Sequence, residues 1–291
     1  MGNVTEVART GSATALSRSE LFAALCVLGF ANGIAGRAQG AFLHDGAAEA
    51  FINAFNISVV VWVAFVACPA MFLRAPRESL RHADLIMAAG VLAAILLPFG
   101  PLSWIALTGL ALYILHDHPS LGGGNRPLSP VHRGAWILLA ITGAMFWGRL
   151  LLLSASGPIL SADALLAGWL AGTETAGNTV RFADGEGFVW IAPYCSSLAN
   201  ISLAILCWVL FAQYRGLGWS WANAGWCLLA CLSVVAVNVT RIGLMVLHRE
   251  KFDLIHGPVG SSIANWLSVA AVLGICMWGT RGARTRALNP A

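Results

Sequence analysis

The stretch ANAGWCLLACLSVVAVNVTRIGLMVL, residues 222–247, contains a single charged residue, Arg241. A helix crossing a bilayer needs roughly 17–25 apolar residues, so this run is long enough to span one. Seven other apolar runs flank it, at about 20–36, 51–73, 83–98, 101–115, 134–154, 196–213 and 261–280, with short polar connections between them. Of the 291 residues 58% are hydrophobic and 10% charged, whereas a soluble domain carries roughly a quarter charged residues. The expectation is an all-α polytopic membrane protein with about eight transmembrane helices. Its parts are an N-terminal tail (1–19), a first group of helices (20–133), a second group carrying the chemistry (134–280) and a C-terminal tail (281–291). No small-residue cleavage site closes MGNVTEVARTGSATALSRSE, so the first run is read as a retained anchor.

Basic residues in the connections set the orientation, because translocation is biased against them. With the N-terminus inside, eleven Lys and Arg fall in inner segments. Four, Arg37, Arg181, Arg249 and Lys251, fall in outer ones, and Arg149 and Arg241 lie within the apolar runs. Both termini are therefore expected in the cytoplasm of a cell (inner) membrane. The formal net charge of +4 belongs to this asymmetry, and the scattered single arginines give no nucleic-acid surface.

Residues 155–195 make the longest outer segment, which puts Cys195 at the outer mouth of the sixth run. The other six cysteines lie in apolar runs. A lone thiol facing an oxidising compartment is a reactive group, an interchain link or a filler at a helix start. Ser196 and Ser197 follow it, and the unpaired N–H groups of a helix start favour an anion, which would lower the thiol pKa. Upstream, NTVRFADGEGFVWIAPY has two β-prone runs about a DGEG turn, and so predicts a short outer β-hairpin over 178–192. Such a hairpin either guides an extended substrate or is a surface flap. SADALLAGWLAG, before it, reads as an interfacial or re-entrant helix.

Two other segments reach the same face. Arg241 lies about two turns below the outer end of its run, at a cost of about 2.5–3.5 kcal/mol on insertion scales unless it is partnered or snorkels. Asn238, three residues earlier, shares its helix face. The loop HREKFDLIHGPVGS places His256 before Gly257, Pro258 and Gly260, and histidine suits proton transfer near neutral pH.

Taken together, CSS (195–197), NVTRI (238–242) and HGPVG (256–260) resemble the exosortase/archaeosortase family of membrane-embedded protein-sorting enzymes. The family pattern is Cys-Ser-Gly opening one helix, Asn-x-x-Arg-Ile in the next and His-x-x-x-Gly before the last. Ser197 stands where the family's usual glycine would be. The resemblance covers residues 134–280 and implies a cysteine transpeptidase. Cys195 would form a thioester with a peptide carbonyl, His256 would move protons, and Arg241 would hold the thiolate or oxyanion. Asn238, Ser196, Ser197, Gly260 and Arg149 would support the site. The implied partners are membrane-anchored proteins bearing a C-terminal sorting signal, often of Pro-Glu-Pro type, and no cofactor is implied.

Two rival readings are a small-molecule transporter or channel component, and a purely hydrolytic intramembrane protease. No inverted repeat supports the former. Arg149, near the outer end of its run, either snorkels, pairs with an acid or lines a groove. His116, Asp117 and His118 show no further ligands for a metal site, Cys227 and Cys231 read as packing, and GGGN at 122–125 lacks the strand and helix of a phosphate loop.

Overall fold

The structure is a computed structural model, describing residues 16–97, 99–116 and 128–281. Helix α1 (Arg18–His44) leads through the short α2 (Ala47–Ile52) to α3 (Val59–Leu73), α4 (His82–Leu96) and α5 (Gly100–His116). Helices α6 (Pro130–Thr142) and α7 (Gly148–Ser154) run on from each other through a π turn at Gly143–Trp147, and α8 (Ser156–Ala171) follows. Strands β1 (Thr175–Ala176), β2 (Thr179–Arg181) and β3 (Phe188–Trp190) precede α9 (Ser197–Tyr214) and α10 (Trp221–Leu247). The one-turn α11 (Phe252–His256) and α12 (Pro258–Gly279) complete the fold.

Among the described residues, five helical stretches are long and apolar enough to cross a membrane: α1, the α6–α7 unit, α9, α10 and α12. Helices α3, α4 and α5 are apolar but shorter. The chain is thus an all-α protein with the helices of a multi-pass membrane protein. Two ends differ from the expected runs. Helix α1 begins where Ser17 caps it in a reciprocal box with Glu20, and it continues through Arg37 until Gly46, whose φ of 80° breaks it. Arg37 is therefore a helical residue and not part of a loop. The run expected at 51–73 is divided by a turn in which Ala54, Phe55 and Asn56 take φ of 50°, 57° and 55°. Asparagine tolerates that region, but the other two cost about 1–2 kcal/mol each. Packing of Phe55 against Phe42, Phe51 and Trp62, at ring separations of 5.2–6.3 Å, offsets part of this.

Three cores hold the elements. The largest joins α1, α3, α4, α5 and α6 around Phe22, Leu25, Phe72, Leu107, Leu110 and Leu138. It is close-packed because α1 carries small residues four apart: a Cβ on Gly29 would meet the Leu107 side chain at 2.8 Å, and one on Gly33 would meet Trp104 at 2.7 Å. A buried ion pair, Arg18 Nε to Asp84 Oδ1 at 2.9 Å, ties α1 to α4, and the Tyr113 hydroxyl donates to the same oxygen at 2.8 Å. A second core joins α9, α10 and α12 through Cys207, Trp208, Ala230, Val234, Val272 and Cys276. Cys227 and Cys231 pack against it, and all seven cysteines are free.

The third core positions the candidate site. It joins α8 (Leu160, Ala164, Ala167) to the strands (Val180, Val189), to Ile191 just after β3 and to the end of α10 (Ile242, Val246). Strands β2 and β3 form an antiparallel hairpin in which Val180 faces Val189, and β1 adds a third strand. The DGEG segment, 184–187, makes the turn, with Gly185 and Gly187 at φ of 82° and 84°. The hairpin is fastened to α10: the Ala183 N–H donates to Val246 O at 3.1 Å, and Arg249 Nη1 donates to Asp184 Oδ2 at 3.2 Å. His116 ends α5. Asp117, His118 and GGGN lie outside the described residues, as do most of the two tails.

Candidate functional site

Cys195, Arg241 and His256 line one small cavity of about 40 Å³, together with Trp190, Tyr194 and Phe252. Each arrives by a different local device. Pro193 starts a single 3₁₀ turn, Pro193–Cys195, in which the Cys195 N–H donates to Ala192 O at 2.8 Å. Ser196, not Cys195, is the N-cap of α9, its Oγ accepting from the Leu198 N–H at 3.2 Å. Asn238 then fixes the turn from α10, its Nδ2 donating to Cys195 O at 2.8 Å and to Ser197 Oγ at 3.1 Å. The serine that replaces the resembled family's glycine thus supplies an acceptor of its own.

This arrangement corrects the expectation of a thiol activated by a helix start. The Ser197 N–H donates to Asp163 Oδ2 at 3.1 Å, so the carboxylate of a buried aspartate on α8 already occupies the amide end of α9. With Cys195 one residue before the cap and half-buried, burial pushes its thiol pKa up. The Arg241 charge and a hydrogen bond from the Ala192 backbone pull it down, and the Asp163 charge pushes it up. Burial disfavours the charged form by more than these neighbours return.

Arg241 reaches out of α10 to the α11–α12 turn. Its Nε donates to Ile255 O at 3.2 Å, and its Nη2 donates to His256 O at 3.0 Å and Ser261 Oγ at 2.7 Å. The Ser261 hydroxyl donates in turn to His256 O at 3.1 Å. Those carbonyls are free for Arg241 because α11 is a single turn whose last C=O groups have no helical partner. The turn closes tightly: a Cβ on Gly260 would lie 2.1 Å from Ile255 O, and one on Gly257 would lie 2.5 Å from Asp253 O. The spacing from His256 to Gly260 is therefore a steric requirement. The His256 imidazole stacks on Phe252, four residues earlier, with ring centroids 5.3 Å apart and planes 7° from parallel.

The structure thus brings Cys195, Ser196, Ser197, Asn238, Arg241, His256 and Gly260 together. Arg149 is elsewhere: it lines a separate cavity with Arg37. Sequence reasoning missed Asp163, Ser261 and Phe252 as parts of the site. An acid inside the apolar helix SADALLAGWLAG is a signal for the first, and the i, i+4 pairing of Phe252 with His256 is one for the last. Among the described residues, no group of three or more His, Cys, Asp or Glu is placed to hold a metal ion. Comparisons with protein-family models, with curated proteins and with solved structures find no match to the chain.

Proposed function

We propose that this protein is a membrane-embedded cysteine peptidase or transpeptidase of the exosortase/archaeosortase type, acting at the outer face of a cell membrane on anchored proteins with a C-terminal sorting signal. The observation that carries the reading is the convergence of a thiol, a guanidinium and an imidazole on one cavity, from segments 195, 241 and 256. In this reading eight helices cross the membrane and both termini are cytoplasmic. Strand β3 runs directly into the 3₁₀ turn bearing Cys195, and its exposed Phe188 and Trp190 lie beside the path of an extended substrate.

The raised thiol pKa determines how the chemistry begins. A thiol that stays protonated needs a base at the moment of attack, and His256 in the same cavity takes that proton as the sulfur–carbon bond forms. The negative charge moves to the carbonyl oxygen, where Arg241 balances it. Collapse breaks the carbon–nitrogen bond, His256 returns the proton to the leaving amine, and a thioester remains on Cys195. An amine or water then attacks the thioester, losing its proton to His256 and restoring the thiol. Because Arg241 is anchored through Nε and Nη2, its position is set before substrate arrives, which is what electrostatic catalysis requires.

The test is C-terminal peptide mass spectrometry of membranes from cells carrying the wild type or Cys195→Ala. Proteins with a shortened or modified C-terminus in the wild type should keep their hydrophobic C-terminal segments in the variant. Identical C-termini in both would exclude the reading, and a free carboxylate on the shortened chains would mark hydrolysis.

A further inference from the structure

A second cavity, of about 140 Å³, is lined by Arg37 from α1, Asn56 and Ser58 from the turn before α3, Arg149 from α7 and Ser202 from α9. Ala199 also lines it, one turn into the helix that follows Cys195, so the two cavities lie at the same end of the bundle. No carboxylate is among its lining residues. Among the described residues, neither Arg37 nor Arg149 makes an ion pair or a hydrogen bond. Arg37 is half-buried and Arg149 exposed, and two guanidinium groups that share one cavity repel each other, a repulsion that an anion between them relieves.

Two backbone irregularities and one close helix approach converge on this spot. The π turn Gly143–Trp147 changes the register of the α6–α7 helix just before Arg149. Gly148 lets that helix approach α9: a Cβ there would sit 3.2 Å from Gly143 O and 3.3 Å from Ser202 Oγ. The left-handed turn at Ala54–Asn56 delivers Asn56 and Ser58 to the wall. Strained backbone of this kind persists where the surroundings over-determine it, and such sites cluster where ligands bind.

We propose that Arg37 and Arg149 form a phosphate-binding site, completed by the neutral hydrogen-bonding groups of Asn56, Ser58 and Ser202. Two guanidinium forks match the several oxygens and the charge of a phosphate better than they match one carboxylate. A lipid headgroup and free phosphate share this chemistry. The surface beside the site favours the lipid, since Leu150, Leu151 and Leu153 on α7 are exposed and offer an apolar flank for acyl chains. The site stands independently of the peptidase reading, because none of its residues lines the Cys195 cavity.

The experiment is native mass spectrometry of the full chain in detergent, titrated with phosphatidylglycerol, with thermal unfolding followed in parallel on addition of inorganic phosphate or acetate. The wild type and Cys195→Ala should retain the lipid equally. Arg37→Gln/Arg149→Gln should bind it about tenfold less tightly or worse, from the loss of charge-assisted bonds. Arg181→Gln, which removes an exposed charge on the hairpin, should bind as the wild type does, and Arg37→Lys/Arg149→Lys should recover part of the affinity, separating charge from misfolding. Stabilisation by inorganic phosphate in the wild type, lost in the glutamine pair, would identify free phosphate as a sufficient ligand. Equal lipid retention by wild type and glutamine pair, or stabilisation by acetate equal to that by phosphate, overturns the proposal.

Discussion

The Ser197 N–H and the Asp163 carboxylate meet at 3.1 Å in a buried contact that places a negative charge where α9 begins. Helix α8 thereby caps α9, and an anion formed at Cys195 has to coexist with a carboxylate nearby. Burial first, and the Asp163 charge after it, push the Cys195 thiol pKa up.

Asp163→Asn keeps the shape and removes the charge, so the Cys195 thiol pKa should fall. The rate of alkylation of Cys195 at a fixed pH near 8 should rise, measured by mass spectrometry of the labelled peptide. An unchanged rate would mean that the carboxylate does not act on the thiol.

In the wild type, alkylation of Cys195 should climb with pH and show no plateau below pH about 9, since burial holds the thiol above its ordinary range. A membrane-impermeant reagent added to intact cells should still label it faster than the other six cysteines. Four of those are buried, and Cys227 and Cys231 lie within α10. A plateau near pH 7 would indicate a thiolate stabilised in a way the geometry does not contain.

Arg241→Lys should insert normally yet lose most substrate processing. An ammonium has no fork with which to hold Ile255 O, His256 O and Ser261 Oγ together. Loss of one oxyanion-type donor costs about 2.7–4 kcal/mol, a rate loss on the order of a hundred- to a thousand-fold. Removal of the charge altogether, in Arg241→Gln, should also slow alkylation of Cys195, because Arg241 pulls that pKa down. Full processing by the lysine variant would reduce the site to Cys195 and His256.

Gly260→Ala should be more damaging than its one carbon suggests. The added Cβ meets backbone at 2.1 Å, which no side-chain rotation relieves, so the α11–α12 turn must open. Overpacking of this kind costs about 1–3 kcal/mol. The expected result is a lower melting temperature in detergent and loss of processing, checked against Gly274→Ala, where nothing lies within 4 Å of the added carbon.

The hairpin tether should weaken in acid. The Glu186 backbone N–H and Arg249 both hold the Asp184 carboxyl below its ordinary range. A carboxyl with a depressed folded-state pKa contributes above its unfolded value near 4 and loses that contribution as pH falls through the folded one. Limited proteolysis at residues 182–187 should accelerate below pH 4 in the wild type. Arg249→Gln should already show faster cleavage at neutral pH.

The long helices and the convergence of Cys195, Asn238, Arg241 and His256 were legible because apolar run length and the spacing of polar residues within it are local quantities. What stayed hidden depends on contacts between elements distant in sequence. Asp163 reads as a polar residue in an interfacial helix until α9 is placed beside it, and the several readings of Arg149, which snorkels, pairs with an acid or lines a groove, stay open until Arg37 is brought to the same cavity. The turn at Ala54–Asn56 carries no glycine to announce it, so the apolar run at 51–73 looks continuous. The direction of the Cys195 thiol pKa was hidden chiefly because burial, which depends on distant elements packing around it, outweighs its neighbours, and the 3₁₀ turn also makes Ser196 the cap and leaves Cys195 outside the helix.

The π turn decides which way the second half of the α6–α7 helix faces. Such a turn takes up one extra residue within an α-helix, and each residue of an α-helix turns the chain by about 100°. Deleting a single residue between Gly143 and Trp147 would leave a continuous α-helix with Arg149 still facing the cavity, whereas winding all five residues into regular α geometry would swing Arg149 away by about 100°. A chain one codon shorter here would therefore carry the same surface, and the extra residue can be kept only because the helix widens around it.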